Sequence, residues 1–304
     1  MKILCISSRE NWIDDRIASE FKEHSQHEVS FNDVTADAVW LVAPWIWKSI
    51  PRPLLMNKKL VCTIHHQVPE KFDEKKLQDF KERDQYVDFY HVPCEKTKSF
   101  VSKITQKPIK ILAYWYNQSQ WRQFNKEDLR KKWGFINNEL LIASFQRDSE
   151  GANPQNPKLE KGPDLFFKYV SRLNSSRNVH VLLAGWRRKY LINKLEQAKI
   201  PHTYRELADQ QTLNELYSLA DFYIIASRCE GGPQALLESP ACGTPVVSTD
   251  VGMAQEILPN SCIINAEIDE YIPNEKDLHQ TIQKITPLEI QNQIINYDLL
   301  FSSL

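Results

Sequence analysis

The segment from Asp221 to Ser248 constrains the fold more than any other part of this 304-residue chain. Asp221-Phe222-Tyr223-Ile224-Ile225-Ala226-Ser227 is an unbroken apolar run of strand length, and Pro245-Val246-Val247-Ser248 is a second. A strand that is apolar without alternation is buried on both faces, as in a parallel sheet covered by helices. Between the two runs, Glu230-Gly231-Gly232-Pro233 is a tight turn expected to open a helix from about Pro233 that carries the chain to the next parallel strand. The start of that helix, Gln234-Ala235-Leu236, offers unpaired N–H groups and a positive dipole end, which suit a phosphate. Glu230 and Glu238 flank this cradle. Carboxylates do not neutralise a phosphate, but they accept hydrogen bonds from sugar hydroxyls. The arrangement suits a ligand with both groups, a nucleotide sugar.

The same alternation of strand and helix runs through the chain, an α/β pattern. In the first half, strands are expected over Lys2–Ser7, Glu28–Asn32, Ala38–Ala43, Leu60–His65, Phe89–Pro93 and Ile109–Trp115, with helices over Trp12–Glu23, Lys75–Arg83 and Thr97–Ile104. In the second half, strands are expected over Leu140–Gln146, Val179–Ala184, Asp221–Ala226, Pro245–Ser248 and Cys262–Asn265. Helices are expected there over Lys126–Trp133, Asp164–Leu173, Lys189–Ala198, Thr212–Ala220 and Gln234–Cys242. The polar stretch Asn117–Asn125 marks the boundary, giving domains 1–118 and 119–275 and a helical tail 276–304 interrupted at Pro287. The aromatic end of the tail, Tyr297 and Phe301, is suited to packing back on the first domain or on its own.

Composition narrows the partners. Lysine and arginine number 38 against 39 acidic residues, so no global field draws the chain to nucleic acid. The six cysteines are scattered, mostly in apolar runs and without a Cys-x-x-Cys pair. They read as small core hydrophobes in a reducing cytosol, not as disulfides or a zinc site. No signal peptide or membrane-spanning run is expected, so any membrane contact would be peripheral, on the cytoplasmic side.

The string Glu230 to Pro245, with Glu238 eight positions after Glu230, resembles the donor-site signature of retaining GT-B glycosyltransferases, most closely family 4 (glycosyl transferases group 1). The resemblance implies a GT-B fold, two Rossmann-like domains with parallel sheets facing a central cleft, with the donor on the C-terminal domain and the acceptor on the N-terminal one. It gives Glu230 and the pair Gly231 and Gly232 the transferred sugar, and Glu238 the ribose. Pro233, Gln234, Ala235 and Leu236 complete the donor turn. Gly185, after the strand Val181–Ala184, falls where the family places a glycine near the nucleotide, and Thr203–Leu207 where backbone holds the base.

Two cations stand where ligands gather in such sheets, at the carboxyl ends of strands. Arg147 ends the first strand of the second half, and Lys161 opens the turn Lys161-Gly162-Pro163. Fixed cations stabilise the charge that develops on a departing diphosphate, and in the family such a pair grips the diphosphate in place of a metal. No metal and no cofactor is therefore expected. The chain departs from the family pattern in two places. A long polar insertion, Ser149–Glu160, separates the cations, and no glycine occurs before Gly134, where many members have a Gly-rich first loop.

On the acceptor side the candidates are His65, His66, Asn11, Asp15 and Trp45. His65 matches the family's strand-end histidine facing the donor sugar, and its imidazole is suited to bonding a hydroxyl or the reacting region. Asn11 and Asp15 offer hydroxyl partners, with helix capping as the alternative for Asn11. Trp45-Ile46-Trp47, beside Trp40, is a candidate apolar platform for a glycan or lipid-linked acceptor, with core packing as the alternative. The expected activity is transfer of a sugar from a nucleotide-diphosphate sugar. The alternatives are a nucleotide-sugar epimerase of the same fold and a non-catalytic nucleotide-sugar-binding protein.

Overall fold

The computed structural model describes residues 1–135 and 138–304. Two compact units divide the chain, one from Met1 to Trp115 with Leu288–Leu304, the other from Tyr116 to Pro287.

The first unit contains β1 (Lys2–Ile6), α1 (Ile13–His24), β2 (Glu28–Ser30), β3 (Ala38–Leu41), α2 (Arg52–Asn57), β4 (Lys59–Thr63), α3 (Glu74–Asp84), β5 (Phe89–Val92), α4 (Glu95–Val101) and β6 (Ile109–Ile111). Its strands form one parallel sheet in the order β2-β1-β3-β4-β5-β6. The strand order reverses between β1 and β3, and at such a switch point the loops diverge and leave a crevice beyond the carboxyl ends of the strands.

The second unit contains α5 (Lys126–Trp133), β7 (Leu140–Ser144), α6 (Pro163–Asn174), β8 (Val179–Ala184), α7 (Lys189–Gln197), β9 (His202–Arg205), α8 (Gln210–Leu219), β10 (Phe222–Ile225), α9 (Ala235–Ala241), β11 (Val246–Ser248), α10 (Ala254–Ile257) and α11 (Glu275–Ile285). Its sheet is also parallel, in the order β11-β10-β7-β8-β9, with the switch point between β7 and β10. All four residues of β10 are buried, as its unbroken apolar run predicts.

The last helix, α12 (Ile290–Ser302), belongs to the first unit. Tyr297 and Phe301 are fully buried, and their rings lie 5.8 and 5.4 Å from that of Trp40. Full burial of side chains of this size contributes about 1.5–3 kcal/mol each, which is what holds the tail there. Helix α11 stays with the second unit. Its start is capped by Asn274, whose side chain accepts the amides of Lys276 and Asp277.

Several elements differ from expectation. The run Cys262–Asn265 is not a strand: a 3₁₀ turn covers Asn260–Cys262, and Ile263 makes a single bridge to Ser248. Asn265 turns away because its amide is taken by the Asp269 carboxylate at 2.6 Å. Strand β9 was not expected, because it is polar and half exposed at the sheet edge and so lacks a buried apolar run. The expected strands reaching His65, Gln146 and Trp115 end earlier, so these residues stand beyond the sheet rather than in it.

Candidate functional site

Three of the charged residues singled out in the second half, Arg147, Lys161 and Glu230, meet at its switch point. Strand β7 ends at Ser144, leaving Gln146 and Arg147 beyond the sheet, and β10 ends at Ile225, leaving Ser227 and Glu230 beside them. Lys161 Nζ lies 2.6 Å from Glu230 Oε1. Ser227 Oγ is 3.0 Å from the same oxygen and also 3.0 Å from Gln146 Oε1. The Glu230 side chain is 7% exposed and that of Lys161 23%, so each ion is largely out of water and depends on the other.

Arg147 is fixed from two sides. Its Nε donates to Ser149 O at 2.9 Å, and its guanidinium carbon lies 5.6 Å from the centre of the Trp186 ring. Arg147, Lys161, Gln146 and Ala226 line a void of about 10 Å³ together with Arg188, which is fully buried. Arg188 Nη2 donates to Ser144 O at 2.9 Å, and its Nε lies 3.4 Å from Asp148 Oδ2. Burial pushes the Asp148 carboxyl up to about 6 against the pull of Arg188.

Glycines hold the backbone of this site together. Gly252 has φ +50°, and a Cβ there would lie 1.9 Å from Gly231 O. The amide of Met253 bonds that same oxygen at 2.9 Å, so the turn after β11 clamps the Gly231-Gly232 turn. Gly162 has φ +61°, and a Cβ there would meet Ala226 O at 1.8 Å, which lets Lys161 approach the end of β10. Gly185, with φ +92°, lies close against Phe145 O.

At the start of α9 the amides of Leu236 and Leu237 turn back on Pro233 O and Gln234 O. Ala235 and Leu236 are buried, and Gly232, Pro233 and Gln234 are half-buried. Glu238 is not in the cluster with Lys161. It is buried in α9, and its Oε2 accepts a hydrogen bond from Tyr217 Oη at 3.1 Å.

His65, His66, Asn11, Asp15 and Trp45 all belong to the first unit. His65 follows β4, but both its ring nitrogens are engaged, Nδ1 with Tyr114 Oη at 2.6 Å and Nε2 with Val42 O at 2.8 Å. Because the carbonyl of Val42 can only accept, Nε2 carries the proton and Nδ1 accepts from the tyrosine. Burial holds the pKa of His65 below the usual histidine value.

Asp15 is turned onto its own loop. Its Oδ1 accepts the Arg9 amide at 2.9 Å, and its Oδ2 accepts those of Asn11 and Trp12 at 2.8 and 3.3 Å. Burial raises its pKa, but bonds from the Ser7 hydroxyl and these amides outweigh burial and hold it below the usual carboxylate value. Asn11 does not cap α1; Trp12 takes that position, and Asn11 has φ +60°.

The tryptophans divide between core and surface. Trp40 and Trp47 are buried, whereas Trp45 is half exposed, with its ring 6.5 Å from that of the half-exposed Trp12. Trp45, Arg9, Ser7, Phe31 and Leu54 line a cavity of about 610 Å³ at the switch point of the first sheet.

Ser227, Gln146, Gly252 and Trp186 were not among the residues expected at the site. Ser227 and Gln146 were legible as strand ends at a switch point, and Gly252 as a glycine just after a strand. Trp186 carried no such signal.

The profile of the glycosyl transferases group 1 family matches residues 126–296, more than half of the chain. The chain belongs to that family. Among solved structures it is similar to HepE of Anabaena in complex with UDP, at 13% identity and TM-score 0.78 over 100% of both chains. It is also similar to sucrose-phosphate synthase from Thermosynechococcus elongatus, at 15% identity and TM-score 0.70 over 98% of this chain and 81% of that one. A third is the UDP-forming trehalose-phosphate synthase from Burkholderia xenovorans, at 14% identity and TM-score 0.64, covering 96% and 76%. No curated protein matches by sequence. The fold of this group 1 chain is GT-B, two Rossmann-like units each with a parallel sheet.

Proposed function

We propose that this chain is a retaining, metal-independent glycosyltransferase that takes a sugar from a nucleotide-diphosphate sugar. The observation that carries the reading is the cluster of Glu230, Lys161 and Arg147 at the switch point of the second unit. Arg147 and Lys161 are the cations for the diphosphate, whose negative charge grows as the glycosidic bond breaks. Lys161 has a second task, holding the Glu230 carboxylate in place with Ser227. Glu230 is then oriented as a hydroxyl acceptor for the transferred sugar, and Glu238 is assigned to the ribose.

UDP-sugars come first among candidate donors, because HepE of Anabaena was solved with UDP-glucose as well as with UDP. Among the described residues no group of three or more His, Cys, Asp or Glu side chains is placed to hold a metal. The two cations supply the counter-charge, so transfer is expected to survive excess EDTA; loss on chelation with recovery on Mg²⁺ would overturn this assignment. The acceptor, a glycan or a lipid-linked sugar, is assigned to the 610 Å³ cavity of the first unit, with Trp45 as a stacking face. Among the described residues no helix is long and apolar enough to cross a membrane.

The deciding experiment uses UDP-glucose with two variants. A ligand at 100 times its dissociation constant raises stability by about 2.7 kcal/mol, so thermal shift identifies a bound donor first. Glu230→Gln is expected to lower turnover about 10- to 150-fold while UDP still binds, because it touches sugar and not nucleotide. Glu238→Gln is expected to weaken UDP and UDP-glucose alike. Normal turnover and normal UDP affinity in both variants would sink the paired-carboxylate reading.

A further inference from the structure

A buried arginine is costly unless its donors are used, and Arg188 leaves two of them unused. Its Nη2 donates to Ser144 O at 2.9 Å and to Ser144 Oγ at 3.3 Å. Its Nε stands 3.4 Å from Asp148 Oδ2, an ion pair without a hydrogen bond. Nε and Nη1 both lack an acceptor among the described residues. Asp148 is 2% exposed, and its Oδ2 accepts the Leu191 amide at 3.4 Å while its Oδ1 has no donor among the described residues. Gln146 Nε2 is a further buried donor without an acceptor there. Native proteins hold few such atoms, and a ligand is one way to complete them.

The three residues share one surface. Arg188, Asp148 and Gln146 all line the void that Arg147 and Lys161 also line. Pro163, Phe166 and Leu191 complete its wall with apolar surface, so a charge entering it is little screened. At about 10 Å³ the void admits one water-sized atom and not a whole phosphate. Its wall is braced, because Arg187 O accepts the Asp148 amide at 3.2 Å and the Ser149 hydroxyl at 3.0 Å. Those bonds tie the loop after β8 to the loop after β7. Arg188 is thus held in place, and a ligand atom must come to it.

We propose that this void seats one oxygen of the donor diphosphate, with Arg188 as a buried third cation of the site and Asp148 as its brake. This rests on the donor reading given above and deepens it. Arg188 Nη1 donates to the seated oxygen, with Gln146 Nε2 as a neutral second donor. The Asp148 carboxylate lines the same void and opposes an anion there, so it weakens the site that Arg188 strengthens.

Inorganic pyrophosphate is the probe, because it presents the diphosphate without base or sugar. The full chain is compared by calorimetry with Asp148→Asn, with the double variant Arg188→Met/Asp148→Asn, and with Arg147→Ala. Asparagine keeps an acceptor for the Leu191 amide, and the double variant leaves no buried carboxylate unpaired. Asp148→Asn is expected to bind pyrophosphate about fivefold or more tighter than the wild type. The double variant is expected to bind about tenfold or more weaker than Asp148→Asn. That gap should persist at high salt, because buried charges are screened little. Equal affinity in Asp148→Asn and the double variant overturns the proposal and marks the void as the place of a resident water. Weaker binding in Asp148→Asn than in the wild type, or a gap that closes with salt, overturns it too. If Arg147→Ala loses pyrophosphate while the other two variants bind alike, this proposal fails and the donor reading stands. If Arg147→Ala also binds as the wild type does, the donor reading itself fails. Should the double variant not fold, Arg188→Gln/Asp148→Asn replaces it, with the same outcomes.

Discussion

Each unit has a loop that leaves a strand at the switch point of its sheet and enters a helix, and the two loops solve the same backbone problem with opposite means. In the second unit the turn after β10 runs through Gly231 and Gly232 and is clamped by backbone, with Gly252 packed against Gly231 O. Its carboxylate, Glu230, leans on a cation from elsewhere, Lys161. In the first unit the loop after β1 has no glycine, yet Arg9 and Asn11 take φ of +58° and +60°. Its amides are satisfied from within, those of Arg9, Asn11 and Trp12 by Asp15 and that of Ser8 by Asp14 at 2.6 Å. One loop thus brings a carboxylate and two cations to a common point, and the other has filled its nest of N–H groups with its own carboxylates. The amides of Ser8, Arg9, Asn11 and Trp12 are thereby withheld from an anion, whatever the φ angles of the loop resemble.

The largest effect is expected where glycine is indispensable. Gly252→Ala places a Cβ at 1.9 Å from Gly231 O in a backbone with φ +50°. Both the left-handed conformation and the clash with backbone must be relieved, so the variant is expected to lose about 2–4 kcal/mol of stability. Nucleoside diphosphate binding should fall with it, as Gly231 is pushed forward. Denaturant midpoints and calorimetry with UDP read the two effects; a variant that melts and binds like the wild type would show that the clamp is not what shapes the turn.

The charged half of the comparison is tested by Lys161→Ala. Glu230 then keeps Ser227 but loses its ion partner, and the diphosphate loses a charge-assisted bond. UDP affinity is expected to drop by about 1.5–3 kcal/mol, and Arg147→Ala should cost the same order. Unchanged UDP affinity in both variants would remove these cations from the site.

How much of this was legible in the sequence follows from which forces are local. The buried strand β10 and the helix α5 were readable because unbroken apolar runs and caps are properties of neighbouring residues. Asn125 before α5 accepts the Asp128 amide, and Gly134 after it takes φ +76°, both as their residue types predict. That Arg147 and Glu230 lie at one end of the sheet was readable because both follow strands that end at its switch point. What escaped is long-range. Nothing near Lys161 in sequence says that it pairs with a carboxylate 69 positions away. Nothing near His65 says that Tyr114 and Val42 will occupy both its nitrogens. The glycine-free first loop escaped because the usual rule equates left-handed φ with glycine, and here side-chain carboxylates compensate.

That compensation predicts a pH dependence in the first unit. Asp15 is held below the usual carboxylate pKa, so its contribution is present above its unfolded pKa of about 4 and is lost as pH falls through the lower folded value. Asp15→Asn keeps one acceptor oxygen of the two and is expected to cost about 1 kcal/mol at neutral pH, at the exposed-cap end of the scale. The difference from wild type should shrink on acidification below pH ~4. A difference independent of pH would mean that the carboxylate charge is not what holds the loop.

The smallest effect is expected from putting glycine where the first loop lacks it. Arg9→Gly removes a left-handed residue with a side chain, which relieves about 1–2 kcal/mol of backbone strain in the folded state. It also frees the unfolded chain, which costs about 0.4–1 kcal/mol, and removes the bond from Arg9 Nη2 to Phe31 O at 3.0 Å, worth about 0.5–1.5 kcal/mol. These terms offset, so stability should change by no more than about 1.5 kcal/mol in either direction, in contrast to Gly252→Ala. The amide of residue 9 still bonds Asp15, so the nest stays filled and the variant should gain no affinity for pyrophosphate beyond that of the wild type. If Arg9→Gly gained a second pyrophosphate equivalent by calorimetry, the first loop would be an anion site held shut by its side chains rather than by Asp14 and Asp15, and the contrast between the two loops would collapse.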